Sequence, residues 1–521
     1  MAIATVLTAA SLVGGPVSTA RADEFLDRVN NQFASVPQAK RSDLVILPLL
    51  AKLDPAPRAV HEADDILLIA PDQAAWPDVV KWLDGENQKA VVDALFKVTE
   101  AADFKDSMVF AQPYGADGVS PELIQAGMYT ELGDPPLLAA MNIQYLPAIK
   151  TMERLAQLEA VRRAHGGDVL GGLEVLARLS FFGRQLVERP MFRETLIGYT
   201  MMWRAMERMR DIAYSDYRGS KGLQAAAQLS KLPDLVNRLE EDRGVFAFDR
   251  IPFPTGNQAA AEQVVSRVMT PSGTVNKETF ATTLARIRSS GRPLRLFGEA
   301  GRWDSVASVH RDAYATNEEL RKVFGDWQSR WRLDPFDPRM LQPFYWENLD
   351  RSAYPILGAA APVMSDLFPF RQYVRTQIAG TRHSLAVLAF YYKNRGWPPV
   401  LSSVRPDFIK ALTADPFNPN RARGQQPPLA YFVPVRDSAA AGPRDERRPH
   451  EMVVFVPGGV NFRITLREDT FVLYSTGPDG GMNRAERIQD TWQVVKDSDL
   501  LLWPPISSLW RQHLRDAGTL K

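Results

Sequence analysis

The chain has 521 residues, more than one hydrophobic core usually organises, so two or three domains are expected. Its 62 Lys and Arg residues against 61 Asp and Glu leave a net charge of +1, which gives no field that would draw the chain to nucleic acid or to an anionic membrane. There is no cysteine, which excludes disulfides, thiolate zinc sites, iron–sulfur clusters and thiol nucleophiles.

Residues 1–22 have the composition of an export signal. Residues 2–19 are small or apolar and uncharged, and Ala20-Arg21-Ala22 has the A-x-A form of a signal-peptidase site. A basic n-region is missing, so a disordered tail is the alternative. The apolar run is shorter than the ~20 residues of a membrane span, and Gly14-Gly15-Pro16 interrupts it. We therefore expect a signal-like segment, export to the periplasm or cell envelope, and no stable transmembrane span.

From Asp23 to Ser352 the apolar residues recur with helical periodicity. Trp76-Pro77 begins one helix, and Pro147 begins a longer one that Gly166-Gly167 ends. Further helices are predicted over 173–186, 192–214, 258–269 and 278–287. No repeat of fixed length appears, so the prediction for 23–352 is an irregular α-helical domain.

The segment from Phe324 to Tyr354 is the richest in aromatic residues and includes Trp327, Trp331 and Trp346. Two Asp-Pro pairs interrupt it, so it is predicted to be a proline-stiffened connector rather than one helix. One interpretation is an aromatic platform that binds a sugar or a partner protein. The other is hydrophobic packing between the helical domain and the C-terminal module.

The last third, 353–521, is predicted to form an α+β module. A long helix covers 370–394, and its stripe of Arg371, Arg375 and Arg382 is of the kind that is most often solvated. Short runs rich in Val, Phe and Tyr follow and predict strands at 429–435, 452–457, 462–466 and 471–475. Tight reversals between them predict a small sheet of three or four antiparallel strands on which the helix packs.

Four pieces of this module, in their order, resemble the globular domain of major pseudopilins from type II secretion systems. They are Leu385-Ala-Val-Leu-Ala-Phe390, Gly396-Trp-Pro-Pro399, Asp415-Pro-Phe417 and Tyr474-Ser-Thr-Gly-Pro-Asp-Gly480. The resemblance covers about residues 370–500 and implies a long helix on a small antiparallel sheet. Together with the helical domain before it, the module resembles envelope proteins common in planctomycete-type bacteria. The expected fold class is α+β: a mostly helical domain followed by a pseudopilin-like module.

The chain departs from the pseudopilin pattern in one respect. A pseudopilin begins with a basic leader and a hydrophobic assembly helix, whereas here the module is C-terminal and no such helix precedes it. Assembly into a pseudopilus by helix stacking is therefore not expected.

In major pseudopilins the loop after the last strand binds calcium, and the resemblance places such a site at Asp479 and Asp490, with Ser475 as a further oxygen ligand. Calcium takes about six to eight oxygens, and turn carbonyls would complete the set. Arg484 and Arg487 lie between the two aspartates. An arginine–aspartate ion pair in place of the cation is therefore the alternative.

No catalytic motif stands out. The six histidines show no H-E-x-x-H pairing, and neither a G-x-S-x-G elbow nor a G-x-x-x-x-G-K-[ST] loop is present. The expected function is that of an exported, non-enzymatic envelope protein whose partners are envelope proteins or polysaccharide. One alternative is a carboxylate-dependent enzyme on envelope polysaccharide, with a cleft lined by the connector tryptophans. Another is a true type II secretion subunit, which requires a hydrophobic helix upstream of Met1.

Overall fold

The structure is a computed structural model that describes residues 23–63, 65–101, 106–219, 226–239, 246–289, 301–438, 448–456, 460–493 and 495–520. The signal-like segment at 1–22 lies outside these residues. Helices α1 to α16 cover, in order, Glu24–Asn30, Asp43–Leu50, Arg58–His61, Trp76–Leu83, Glu86–Val98, Pro121–Gln125, Leu146–His165, Val169–Val187, Phe192–Gly219, Ala226–Arg238, Gly256–Val268, Lys277–Ser289, Ala313–Arg330, Pro355–Ala360, Leu367–Asn394 and Ile506–Asp516. Residues 301–307 are also helical. Strands β1 to β8 cover Thr130–Glu131, Asn142–Ile143, Ala430–Phe432, His450–Val456, Val460–Leu466, Val472–Ser475, Arg487–Gln489 and Asp499–Trp503.

The predicted helices of the N-terminal part are confirmed. α4 begins at the Trp76-Pro77 pair, where the missing proline N–H has no intrahelical partner to lose, and α7 ends at His165 before Gly166. The antiparallel pair α8 and α9 forms the centre of the core. A Cβ on Gly198 would lie 2.6 Å from the carbonyl oxygen of Gly183, so the two backbones approach each other too closely for a side chain.

The connector tryptophans Trp327, Trp331 and Trp346 lie inside the protein, with exposed fractions of 0%, 3% and 3%. The rings of Trp327 and Trp346 pack against each other, and the segment's tryptophans also contact a set of phenylalanines: Phe253, Phe324 and Phe368. These three tryptophans therefore pack in the protein interior and do not form an exposed platform, and Trp331 alone of the three has a ring contact with a residue after 352 among the described residues.

The basic stripe of α15 is buried at two of its three positions, so the expectation of solvation was wrong for Arg371 and Arg382, while Arg375 is half-buried. Arg371 is 2% exposed and donates to the carbonyl oxygens of Trp331 and Phe248 at 3.0 and 2.9 Å. Arg382, equally buried, donates to the hydroxyl of Thr413 at 2.6 Å. The reason is that α15 is covered on several sides, by α9, by α10 and by the sheet, so its arginines meet loop carbonyls instead of water.

The C-terminal sheet has six strands in the order β3-β6-β8-β7-β4-β5. The four predicted strands are present, but the expected antiparallel sheet of three or four strands is wrong, because β7 pairs parallel with both β4 and β8. Sequence patterns missed β7 because its three residues, Arg487–Gln489, include only one apolar side chain, Ile488. They missed β8 because its Asp-Leu-Leu-Leu-Trp run is buried throughout and so lacks alternation.

Helices cover both faces of this sheet. Leu473 and Leu502 belong to the main core, on the face that contacts α15. Tyr474 and Leu501 belong to a second cluster on the opposite face, with Leu509 of α16. The described chain is thus a mixed α and β protein in which helices predominate.

The main hydrophobic core contains residues from both sides of the expected domain boundary, from Ile46 to Trp503. The division into 23–352 and 353–521 stays a prediction. Among the described helices, none is both long and apolar enough to cross a membrane.

Candidate functional site

A cleft of about 940 Å³ lies where α9, α16 and the β5 strand meet. Its lining runs along the last turns of α9, along α16 from Ser508 to Asp516, and along Phe462–Thr470, which is β5 with the turn that follows. Residues 69–72 and the end of α7 complete it. A cleft of this size accommodates a small ligand or a segment of a polymer.

The floor of the cleft is a buried ionic cluster centred on Asp211 of α9. Arg208 of α9 donates to Asp211 at 2.9 Å, and Arg511 and Ser508 of α16 donate to its other carboxylate oxygen. Burial by itself would raise the pKa of Asp211, but the two guanidinium groups outweigh it and hold the pKa below its usual range. Asp211 is therefore an ionised group with both oxygens occupied.

Paired charges also form the rim. Arg515 of α16 contacts Asp72 at 2.6 Å, and Arg218 near the end of α9 pairs with Asp469 in the turn after β5. The Tyr217 hydroxyl donates to the Asp469 carbonyl oxygen at 2.6 Å. These contacts tie the β5–β6 turn to α9.

Two members of an aromatic stack, Phe462 and His513, line one wall of the cleft. The Phe462 ring of β5 stacks on Trp510 and on His513 of α16, with centroids 5.4 and 4.7 Å apart. This stack holds β5 against α16, since Phe462 is 6% exposed.

Arg463 and Arg467 line the open side of the cleft and are exposed. Neither has an ion-pair partner among the described residues, in contrast to the paired arginines of the floor and the rim. The open side therefore carries two arginine side chains whose charge is not offset by an ion pair among the described residues, while the carboxylates of Asp216 and Asp516 line the same cleft.

A second buried polar network lies beside the cleft floor. Glu207 of α9 accepts from the backbone N–H and the hydroxyl of Ser507, each at 2.9 Å, and pairs with Arg210. Arg210 in turn donates to the Thr381 hydroxyl of α15 at 2.7 Å. The network joins α9, α15 and α16.

Asp490, one of the expected calcium ligands, lies at this second network. It accepts from the Tyr373 hydroxyl of α15 at 2.9 Å. Trp492, two residues further on, packs against Phe370 with the ring centroids 4.2 Å apart, so this segment is docked on α15. Burial, together with the Glu207 carboxylate, raises the pKa of Asp490 to about 7.

The other two expected ligands have different partners. Ser475 is buried and donates to Asp415 at 2.6 Å. Asp479 accepts from the backbone N–H groups of Gly481 and Asp497 at 3.0 and 2.7 Å. The three residues expected to form one ligand set thus have three separate sets of partners. In the part of the chain that the structure describes, no group of three or more acidic or histidine side chains is arranged to hold a metal.

The arginine–aspartate ion pair that was the alternative is not formed within the described residues. Arg484 donates to the Asp437 carbonyl oxygen at 2.9 Å and lies over the Phe432 ring. Arg487 lies over the Phe455 ring at 5.1 Å. Both guanidinium groups are held on aromatic rings of the sheet.

A carboxylate that the sequence did not single out lies next to the loop. Asp499, the first residue of β8, is fully buried, and its Oδ2 accepts from the backbone N–H groups of Ala485 and Asn483 at 2.7 and 3.3 Å. Its Oδ1 has no hydrogen-bond partner among the described residues. Burial, with added repulsion from the Asp479 and Asp415 carboxylates, raises the pKa of Asp499 to about 7.

Sequence reasoning missed the cleft because it missed α16. The signal was present, since Ile506, Leu509, Trp510 and His513 recur at helical spacing. The ion pairs of the floor left no such signal, because Asp211 and Arg511 are 300 positions apart.

Comparison with protein-family models, with curated proteins and with solved structures finds no match to this chain.

Proposed function

We propose that this protein is an exported, non-enzymatic envelope protein that binds a partner in the cleft between α9, α16 and β5. The observation that carries the proposal is the cleft of about 940 Å³. Ion pairs neutralise its floor, while the two arginines at its open side have no ion-pair partner in the described part of the chain. Such a distribution favours binding of an anionic partner over chemistry within the cleft.

The rival reading, a carboxylate-dependent enzyme, finds less support. A general acid needs a raised pKa and a free proton position, whereas the floor carboxylate Asp211 has a lowered pKa and bonded oxygens. Asp490, whose pKa is raised, does not line this cleft. The connector tryptophans, which would have formed a sugar platform, are buried elsewhere.

The pseudopilin-like character of the C-terminal module remains part of the proposal. The packing of α15 against β6 and β8 supports it. The six-stranded mixed sheet and the second covering helix, α16, are additions to the expected pattern. Export rests on the sequence of residues 1–22 alone.

Photo-crosslinking tests this function in cells that produce the whole protein. A photoreactive residue replaces the exposed Gln512, which lines the cleft, and in a control it replaces the exposed Glu347, which does not. We expect the protein in the envelope fraction and an adduct with an envelope component from position 512 only. Recovery of the protein in the cytosol, or adducts that do not differ between the two positions, would contradict the proposal.

Calcium binding near Asp479 is a second proposal, which the unpartnered buried Oδ1 of Asp499 favours. Asp479 and Asp499 would hold the ion, because their carboxylates interact electrostatically and the loop between them is tied back to β8. Asp490, bound to Tyr373, and Ser475, bound to Asp415, take no part in this version. A bound cation would neutralise carboxylates that burial disfavours as anions.

A further inference from the structure

Strand β5 is an edge strand that runs along the cleft. It pairs with β4 on one side, and on the other side no strand of the described residues pairs with it. Phe462–Leu466 of β5 line the cleft. An edge of this kind is a template on which another extended chain can pair.

The register shows which backbone groups of β5 are free. Val453 of β4 donates its N–H to Glu486, on the side of β7, so its backbone groups face away from β5. Along an antiparallel strand, the backbone N–H and C=O groups of successive residues point alternately to the two neighbouring strand positions. Val453 lies opposite Arg463, which is therefore in a pair that exchanges no hydrogen bonds with β4. Asn461, Arg463 and Thr465 thus turn their N–H and C=O groups toward the free edge.

The free edge of β5 is exposed to solvent and carries two arginine side chains. Asn461, Arg463 and Thr465 are exposed, and within the described residues no hydrogen bond engages their outward backbone groups. Arg463 and Arg467 have no acidic partner among those residues either. On the buried face of β5, the Phe462 ring stacks on Trp510 of α16 and holds the strand in place.

A second copy of β5 is a poor occupant of this edge. Antiparallel pairing of two copies about their centre would place one Arg463 directly opposite the other, because Arg463 is the middle residue of Val460–Leu466. Like charges directly opposite each other on neighbouring strands are destabilising. An acidic peptide strand would instead place a carboxylate opposite Arg463.

We propose that β5 accepts an extended acidic peptide segment of a partner protein as a seventh strand of the sheet. The peptide backbone bonds Asn461, Arg463 and Thr465, while its carboxylates contact Arg463 and Arg467 at the cleft. The inference rests on the proposed function, since it names the kind of partner that the same cleft binds. Strand addition obtains affinity from main-chain hydrogen bonds and specificity from the side chains alongside.

A synthetic peptide with alternating valine and glutamate, labelled for fluorescence anisotropy, tests the inference on the whole protein. We expect saturable binding that weakens with salt, and a peptide N-methylated at alternate residues should bind about tenfold more weakly or not at all. A peptide whose glutamates are replaced by lysine should not bind. Equal binding of the plain and N-methylated peptides would overturn strand addition, as would no binding of the plain peptide.

Protein variants provide the second arm. Thr465→Pro removes one outward N–H without touching the β4 pairing, and we expect it to weaken binding about tenfold. Thr465→Val keeps the backbone and is expected to bind as the wild type does. Arg463→Glu should also weaken binding. The matched control is Arg193→Glu, at an exposed arginine outside the cleft, and it should bind the peptide as the wild type does. Wild-type affinity of Thr465→Pro would overturn the inference, and the N-methylated peptide keeps the test decisive if that variant does not fold.

The crosslinking experiment separates the two proposals. If position 512 gives no envelope adduct, the proposed function fails. If the adduct forms and persists unchanged in Thr465→Pro, the proposed function stands and only the added strand is refuted.

Discussion

Asp211 of α9 and Arg511 of α16 form a buried ion pair across 300 positions of sequence. Each side chain is nearly inaccessible, with exposed fractions of 4% and 6%, and Arg208 completes the cluster. The pair fastens α16 to the central helix and thereby forms the floor of the cleft. Two guanidinium groups on one carboxylate compensate the desolvation that either charge would suffer alone.

Removal of the buried guanidinium should be costly. We expect Arg511→Met to lower the free energy of unfolding by about 3 kcal/mol, because it leaves Asp211 short of a partner inside the protein. Arg515→Met, on the same helix, breaks the half-exposed pair with Asp72 and should cost less than about 1 kcal/mol. Urea denaturation measures both. Equal losses for the two variants would contradict the importance of the buried cluster.

Stability should fall as pH rises toward neutrality because of Asp490. Its folded-state pKa of about 7 lies above the ordinary value of 3.8, so the folded state binds this proton more tightly than the unfolded chain. The resulting stabilisation is complete below pH 3.8 and is lost as the pH rises to about 7, at up to about 1.4 kcal/mol per pH unit. The groups that face Asp490 are Tyr373 of α15, Glu207 and Arg210 of α9, and Asp65.

The variant Asp490→Asn tests this dependence, since its amide oxygen still accepts from Tyr373 but does not titrate. We expect a flatter profile of unfolding free energy between pH 4 and 7 than in the wild type. Asp249→Asn, at a highly exposed carboxylate, should leave the slope unchanged. Asp499 has the same raised pKa of about 7, so the profile should be flatter still in the Asp490→Asn, Asp499→Asn double variant.

Calcium should raise the unfolding temperature if Asp479 and Asp499 hold it. A ligand bound only by the folded state stabilises that state, by about 2.7 kcal/mol at a concentration a hundred times its Kd. Asp499→Asn keeps acceptors for the N–H groups of Ala485 and Asn483 but should abolish the calcium response. Asp490→Asn should retain the response. Thermal unfolding with calcium and with a chelator measures it, and an unchanged melting temperature in the wild type would refute the site.

The contact between α8 and α9 should not tolerate a methyl group. We expect Gly198→Ala to destabilise the protein by about 2 kcal/mol, because its Cβ would lie 2.6 Å from the Gly183 carbonyl oxygen and 2.9 Å from the Val187 nitrogen. Gly325→Ala, in the middle of α13, meets no atom within 4 Å and should stabilise by up to about 1 kcal/mol. Chemical denaturation of the two alanine variants should therefore give shifts of opposite sign.

The sequence by itself determined most of the helices and four of the six strands of the larger sheet. α4 begins at Trp76-Pro77 and α7 ends before Gly166. Both boundaries follow from backbone chemistry that acts within a few residues. The methionines Met202, Met206 and Met209, at i, i+4 and i+7, lie fully buried on one face of α9. Such features depend on neighbours along the chain, which the printed sequence contains.

Tertiary structure alone decided which of these faces meet. β7 has three residues and exists as a strand only because β4 and β8 lie on either side of it. Ser475 and Asp490 are close to each other in the sequence but have distant and different partners. Ser475 donates a hydrogen bond to Asp415, 60 positions away, and Asp490 accepts one from Tyr373, 117 positions away. The physical reason is that a buried polar group must bond whatever donor or acceptor packing brings within about 3 Å. Local sequence sets the face on which a side chain lies, and the packing of distant elements sets its partner.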